Sequence, residues 1–197
     1  MKYELSMVLA SIRPQYLKRV YDTACTAISR YSWELIIVSP YALPTELKGI
    51  DNIKHIKEFG NPVRATMHGI SVCKGKIVIT PCDDGYFVED SLNRSIDLFN
   101  SINCGVPELK NCIVCKYREG SGFMDTGGQS FPDAYWNMNY HLNVPHTEPN
   151  WKIAPQPMLS YEYIKSIGGF DTGFSCMSFS CWDLSARIQR DGGIFYL

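Results

Sequence analysis

The sequence has no apolar run long enough to cross a membrane: nothing approaches the roughly 18 to 20 residues that a spanning helix needs. The apolar stretch from Leu5 to Ala10 is also too short for a secretory leader and carries no cleavage signature. Charge of one sign is missing too. Nineteen basic residues against 20 acidic ones leave a formal net charge of −1, and the positive charges between Lys48 and Lys57 are scattered. That argues against broad electrostatic binding to nucleic acid or to an anionic membrane. Internal repeats, low-complexity tracts and a clear interdomain linker are absent. At 197 residues, with 45% apolar and 20% charged residues, the chain is expected to be one globular domain with a sizeable core.

Cysteine is not scarce. Eight are present, at 25, 73, 82, 104, 112, 115, 176 and 181. Without a leader they are expected to be free thiols in a reducing compartment. The expected location is cytoplasmic, with attachment at the membrane periphery as the alternative. Cys112 and Cys115 form a C-x-x-C, but Cys112–Lys116 reads as a strand, on which residues three apart point to opposite faces. Cys176 and Cys181 are loosely spaced for a shared metal.

The first half alternates strand and helix. Leu5–Ala10 is a continuous apolar run of strand length. Pro14 suits the first turn of a helix with Leu17, Val20, Tyr21, Ala24 and Ile28 on one face. Glu34–Val38 is a second buried strand and Asn52–Phe59 a third. Asn61-Pro62 opens a helix through Met67, Ile70 and Cys73. Lys76–Thr80 is the strongest β signal in the chain. Apolar strands alternating with amphipathic helices predict an α/β fold with a mostly parallel central sheet and helices on both faces. Residues 119–150 are rich in Gly, Pro, Asn and aromatics, with little periodicity, as in a functional or disordered loop. A short helix near Tyr161–Ile167, a helix over Trp182–Arg190 and a strand at Ile194–Leu197 follow.

Ligands of such sheets bind beyond the carboxyl ends of the strands, which singles out Pro81-Cys82-Asp83-Asp84-Gly85. Two adjacent carboxylates at the mouth of a crevice repel each other unless a divalent cation lies between them and a phosphate. Hard oxygen ligands of this kind suit Mg²⁺ or Mn²⁺. The alternative is an Asp-Asp-Gly turn whose side chains cap their own backbone; the position after the strongest strand favours the metal.

These segments resemble family 2 glycosyltransferases of the GT-A fold over nearly the whole length. The resemblance is carried by Met7-Val8-Leu9-Ala10-Ser11-Ile12-Arg13-Pro14, Ala65 through Gly69, and Gly75-Lys76-Ile77-Val78-Ile79 leading into Asp83-Asp84. Gly168-Gly169-Phe170-Asp171 and Asp183-Leu184-x-x-Arg187 followed by Gly192-Gly193 complete it. It implies a single GT-A domain over 1–197, either a minimal catalytic domain or one shortened at its C-terminus, with a nucleotide-sugar-binding half (1–118) and an acceptor-side half (119–197). It also implies transfer of a sugar from a nucleoside-diphosphate sugar to a glycan or other hydroxyl acceptor, with inversion, assisted by Mn²⁺ or Mg²⁺ on Asp83 and Asp84. Ser11, Arg13, Ser39 and Arg64 are expected on the donor together with that pair. Trp136 and Trp182 are expected on the acceptor side, where Trp182 either stacks on a sugar face or is core. Asp171 is either an acceptor-side acid or a turn aspartate.

Departures from the family pattern leave alternatives open. Ser180 and Cys181 occupy the places of the usual acidic pair before Asp183. Either Asp183 is the base, or the loop brings in another acid, or the enzyme is impaired; Asp183 is also placed to pair with Arg187 at i,i+4. Ser39-Pro40 replaces the acid that follows the second strand, and Thr66-Met67 replaces an Arg-Asn, with Arg64 nearby. His141 or His146 is a further candidate for the metal shell. The competing readings are a catalytically impaired nucleotide-sugar-binding module and a nucleotidyltransferase. The latter would carry a Gly-rich basic loop after the first strand, and Ser11-Ile12-Arg13-Pro14 has no glycine.

Overall fold

The computed structural model describes residues 2–102, 110–115, 118–119 and 152–196. The elements in chain order are β1 (Tyr3–Ala10), α1 (Pro14–Ala27), β2 (Trp33–Ser39), β3 (Ile53–Lys57), α2 (Pro62–Ser71), β4 (Gly75–Ile79) and β5 (Gly85–Tyr86). They continue with α3 (Ser91–Ile102), β6 (Cys112–Val114), β7 (Arg118–Glu119), β8 (Pro157–Ser160), α4 (Tyr161–Ser166), α5 (Met177–Arg190) and β9 (Phe195–Tyr196).

Seven strands form one sheet in the order β3-β2-β1-β4-β8-β6-β9, and β5 pairs with β7 beside it. The β1–β2, β2–β3, β1–β4 and β6–β9 pairings are parallel, whereas β8 runs antiparallel to both β4 and β6. The sheet is thus mostly parallel, as the alternation of apolar strands and helices predicts.

Because successive strand residues face opposite ways, β1 sends Leu5, Met7 and Leu9 to one side and Val8 to the other. The first set packs with Leu17, Val20 and Ala24 of α1 and with Leu92, Ile96 and Phe99 of α3. The second packs with Val63 and Ile70 of α2, Ile164 of α4 and Leu184 and Ile188 of α5. Both faces are therefore covered, and strands buried on both faces carry continuous apolar stretches, here Met7–Leu9 of β1, Leu35–Val38 of β2 and Ile77–Ile79 of β4. Cys112 lies in one cluster and Cys115 in the other, in agreement with their opposite orientation on a strand.

A buried polar link ties together β1, β2 and the start of β4. Ser6 Oγ donates to Glu34 Oε1 at 2.6 Å, and the Lys74 amide donates to the same oxygen at 2.6 Å. The Gly75 amide donates to Ser6 Oγ at 2.8 Å. Each group is satisfied by a neighbour, so burial of Glu34 is compensated.

Several boundaries differ from the sequence-based expectations. α5 starts at Met177, five residues before the expected Trp182, and β3 covers Ile53–Lys57 rather than Asn52–Phe59. α3 was not expected at all, although Leu92, Ile96 and Phe99 recur at helical spacing on its buried face. Asn61 caps α2 as expected, its side chain accepting from the Arg64 amide at 2.9 Å. Among the described residues no helix is long and apolar enough to cross a membrane.

Close packing of α2 on the sheet requires a glycine. A Cβ on Gly69 would lie 2.3 Å from Val8 Cγ1 and 3.1 Å from Val38 Cγ2. Both neighbours are β-branched and stiff. Gly69→Ala is expected to destabilise the fold by about 1–3 kcal/mol in urea unfolding, despite a gain in helix propensity of about 1 kcal/mol.

Candidate functional site

The chain leaves β1 towards β2 and β3 on one side of the sheet, then returns to place β4 on the other side of β1. The carboxyl ends of β1 and β4 therefore diverge into different connections, and this is where a crevice opens in α/β sheets. A cavity of about 380 Å³ lies there. Its walls include Ser11 and Arg13 after β1, Val38 and Pro40 at the end of β2, and Thr80 through Asp84 after β4. Glu58 and Gly60 after β3, Ala65 and Thr66 of α2, and Pro155 and Met177 from the second half of the chain also line it.

Asp83 and Asp84 are turned into this cavity and tied to the β1 exit. Ser11 Oγ donates to Asp83 Oδ2 at 2.6 Å and accepts from the Arg13 amide at 3.0 Å. Arg13 forks across the pair: its Nη1 donates to Asp84 Oδ2 at 2.6 Å, and its Nη2 donates to Asp83 Oδ1. This contact with Asp83, first of all, raises the guanidinium pKa above its ordinary value. Arg19, from α1, donates to the Asp84 backbone carbonyl at 2.5 Å and lies over the rings of Tyr16 and Tyr86.

Two buried polar atoms of the cavity residues have no hydrogen-bond partner: Thr80 Oγ1 and Asp84 Oδ1. A buried carboxylate oxygen left without a donor is costly unless a ligand meets it. The donor set suits a hard divalent cation, since Mg²⁺ and Mn²⁺ take one or two carboxylates and complete their shells with phosphate oxygens and water. Among the described residues no group of three or more His, Cys, Asp or Glu is placed to hold an ion by itself. His141 and His146 lie outside the described residues, as do Trp136 and the rest of residues 120–151.

The other expected site residues have different surroundings. Ser39 is buried at the end of β2, where its Oγ accepts from the Tyr41 amide at 3.2 Å. Arg64 is exposed on α2. Neither lines the cavity. Asp171 Oδ1 accepts from the Gly173 amide at 2.8 Å, the turn arrangement weighed for it. Trp182 packs edge-on against Phe179, with ring centroids 5.5 Å apart.

Asp183 is not at a helix start, because α5 begins at Met177. It accepts from Arg187 Nε at 2.8 Å and Nη2 at 2.7 Å. Arg187 also donates to the carbonyls of Ile167 and Gly169, each at 2.6 Å. Those carbonyls belong to the turn after α4, where Gly168 and Gly169 adopt φ of +82° and +65°, conformations that suit glycine. The Gly-Gly-Phe-Asp and Asp-x-x-x-Arg segments thus meet in one clamp, and Phe170 is buried beneath it.

Glu58 and Arg19 were not singled out in the sequence. Glu58 had a signal, because it follows the third parallel strand just as Asp83 follows the fourth. Its Oε1 accepts from the Gly60 amide at 2.8 Å and its Oε2 lies 3.2 Å from His68 Nδ1. The His68 contact, then the Gly60 amide, hold its carboxyl below the ordinary range. For Arg19 no local pattern marks the residue, since its partner lies 65 positions away.

No protein-family model matches the chain, and no curated protein matches it in sequence. Solved structures do match in shape. S. aureus TarS superposes with a TM-score of 0.65 at 11% identity, covering 94% of this chain and 33% of that one. Residues 1–349 of S. aureus TarS in complex with UDP give 0.62 at 10% identity, covering 93% and 55%. GalNAc-T7 with UDP, GalNAc and Mn²⁺ gives 0.65 at 12% identity, covering 98% and 44%. The fold is that of the GT-A glycosyltransferases. Within the GT-A fold the chain spans between a third and just over half of these neighbours' lengths.

The clamp generates a test that separates folding from binding. Arg187→Ala leaves two backbone carbonyls and Asp183 without their donor, and should cost about 1–3 kcal/mol of stability. The check is a lowered urea midpoint with nucleotide affinity unchanged.

Proposed function

We propose that the chain is a metal-dependent glycosyltransferase that moves a sugar from a nucleoside-diphosphate sugar to an acceptor hydroxyl, with inversion. The observation that carries this reading is the pair Asp83 and Asp84 in the β1–β4 crevice, with Asp84 Oδ1 buried and unpartnered. The GT-A fold supports it, and two neighbours of that fold were solved with UDP.

In this reading the nucleotide lies in the cavity and the diphosphate reaches Asp83, Asp84 and Arg13. Val38, Pro40 and Ala65 give the nucleotide an apolar wall, as small-molecule sites generally do. Mn²⁺ or Mg²⁺ held by Asp83 and Asp84 would stabilise the charge of the departing diphosphate as a Lewis acid. Ser11 keeps Asp83 oriented through its 2.6 Å bond, and Arg13 and Arg19 add positive charge on the same side. Arg64, exposed on α2 outside the cavity wall, would act on the nucleotide from its rim, and Ser39 would act through the turn at Pro40 and Tyr41 that its hydroxyl holds. Residues 119–151, with Trp136, and Trp182 on α5 belong to the acceptor side. Inversion needs a base on the far face of the sugar ring. That role is given to Asp183, the one carboxylate of α5, which Arg187 must release for it to act; Asp171 is the other acid on that side.

A second reading is favoured by α5 itself. Ser180 and Cys181, in the places of the expected acidic pair, are both buried, and Asp183 is held by Arg187. A nucleotide-sugar-binding module without transfer would carry this arrangement.

Two measurements decide. Asp84→Ala should weaken UDP binding in the presence of Mn²⁺ by about a hundred-fold in calorimetry, an unchanged affinity being evidence against the site. Incubation of the wild-type chain with nucleotide sugars and Mn²⁺ should release free nucleoside diphosphate. A module that only binds releases none, and if Asp183 is the base, Asp183→Asn should abolish the release seen in wild type.

A further inference from the structure

Arg13 stands where a cation is needed. One guanidinium contacts both carboxylates, and Ser11 takes a further oxygen of Asp83. Three of the four carboxylate oxygens are thus already bonded, leaving Asp84 Oδ1 alone. A doubly charged ion on that oxygen would lie within a few ångströms of the guanidinium, and like charges so close repel strongly at the dielectric of a crevice. The two cations compete for the same acids.

Their mobilities differ. The Arg13 side chain is 40% exposed, against 6% for Asp83 and 18% for Asp84. The acids are fixed in the wall and the arginine reaches them from the solvent side. Simply withdrawing it would leave two buried carboxylates facing each other without compensation, which is costly. A diphosphate changes this balance, because its oxygens offer the planar guanidinium an equivalent fork of acceptors. Arg19, bonded to the Asp84 carbonyl rather than to a carboxylate, has no need to move.

We propose that Arg13 is an internal counter-cation that occupies the Asp83–Asp84 pair until a nucleoside diphosphate draws its guanidinium away, so that the divalent cation enters with the diphosphate and not before it. This rests on the reading of the pair as a diphosphate site and adds an order of binding to it. The linkage is reciprocal: whatever Arg13 takes from the affinity for the cation alone, it returns as cooperativity between cation and diphosphate.

The test follows Mn²⁺ binding by electron paramagnetic resonance of the free ion, without nucleotide. Wild type should bind Mn²⁺ weakly, and Arg13→Gln should bind it about ten-fold more tightly or better. Arg13→Lys, which keeps the charge, should stay near wild type, and Arg13→Gln combined with Asp84→Asn should lose the gain. Equal affinities in wild type and Arg13→Gln would overturn the proposal, as would a gain of the same size in Arg13→Lys. The wild-type chain suffices if Arg13→Gln does not fold, since tight Mn²⁺ binding without nucleotide is equally fatal. Repeating the titration with UDP separates the two levels of the argument. Wild type that binds Mn²⁺ only with UDP, beside an unchanged Arg13→Gln, removes the counter-cation role alone. No Mn²⁺ binding by either protein, with or without UDP, removes the diphosphate site as well.

Discussion

Two negative side chains adjacent in sequence and turned into one crevice are the constraint around which this end of the molecule is arranged. Asp83 and Asp84 lie just beyond β4 and line the crevice at its exit. Their repulsion is met locally by Ser11 and Arg13, which the β1–β4 pairing brings alongside. That pairing is in turn held by the Gly75 amide on Ser6 and by the link from Ser6 through Glu34 to the Lys74 amide. Charge compensation at the site and strand order in the sheet are thus parts of one arrangement.

Two parts of the molecule are held in different ways. The crevice is assembled from the carboxyl ends of parallel strands. The segment after α4 depends on a glycine turn held by a side-chain clamp, with Arg187 donating to the carbonyls of Ile167 and Gly169. The Asp183 carboxylate is held by the same Arg187 that binds the turn, so one guanidinium ties both segments together.

The strands were legible because burial on both faces gives each a continuous apolar stretch, and Asp83 and Asp84 stood out because a general rule ties ligands to strand ends. The same rule, applied to β3, points to Glu58. The start of α5 was obscure for a specific reason. Its buried face includes Ser180, Cys181, Ser185 and Ala186, small or polar residues that give little hydrophobic periodicity. The contacts of Arg13 and Arg19 with the β4 exit join segments 65 to 71 positions apart, and no local pattern encodes such a meeting.

The antiparallel strand β8 has a consequence for how the molecule is made. It sits between β4 and β6 and supplies the only link by which β6 and β9 join the parallel half among the described residues. Its partners on β4 are about eighty residues earlier in the chain, so closing that loop carries a large entropic cost before any pairing rewards it. The half containing β1 to β4 is complete in sequence before β8 is reached. During synthesis it is able to collapse first and offer the edge of β4 as a template, with β8 inserted late and the remaining strands ordered after it.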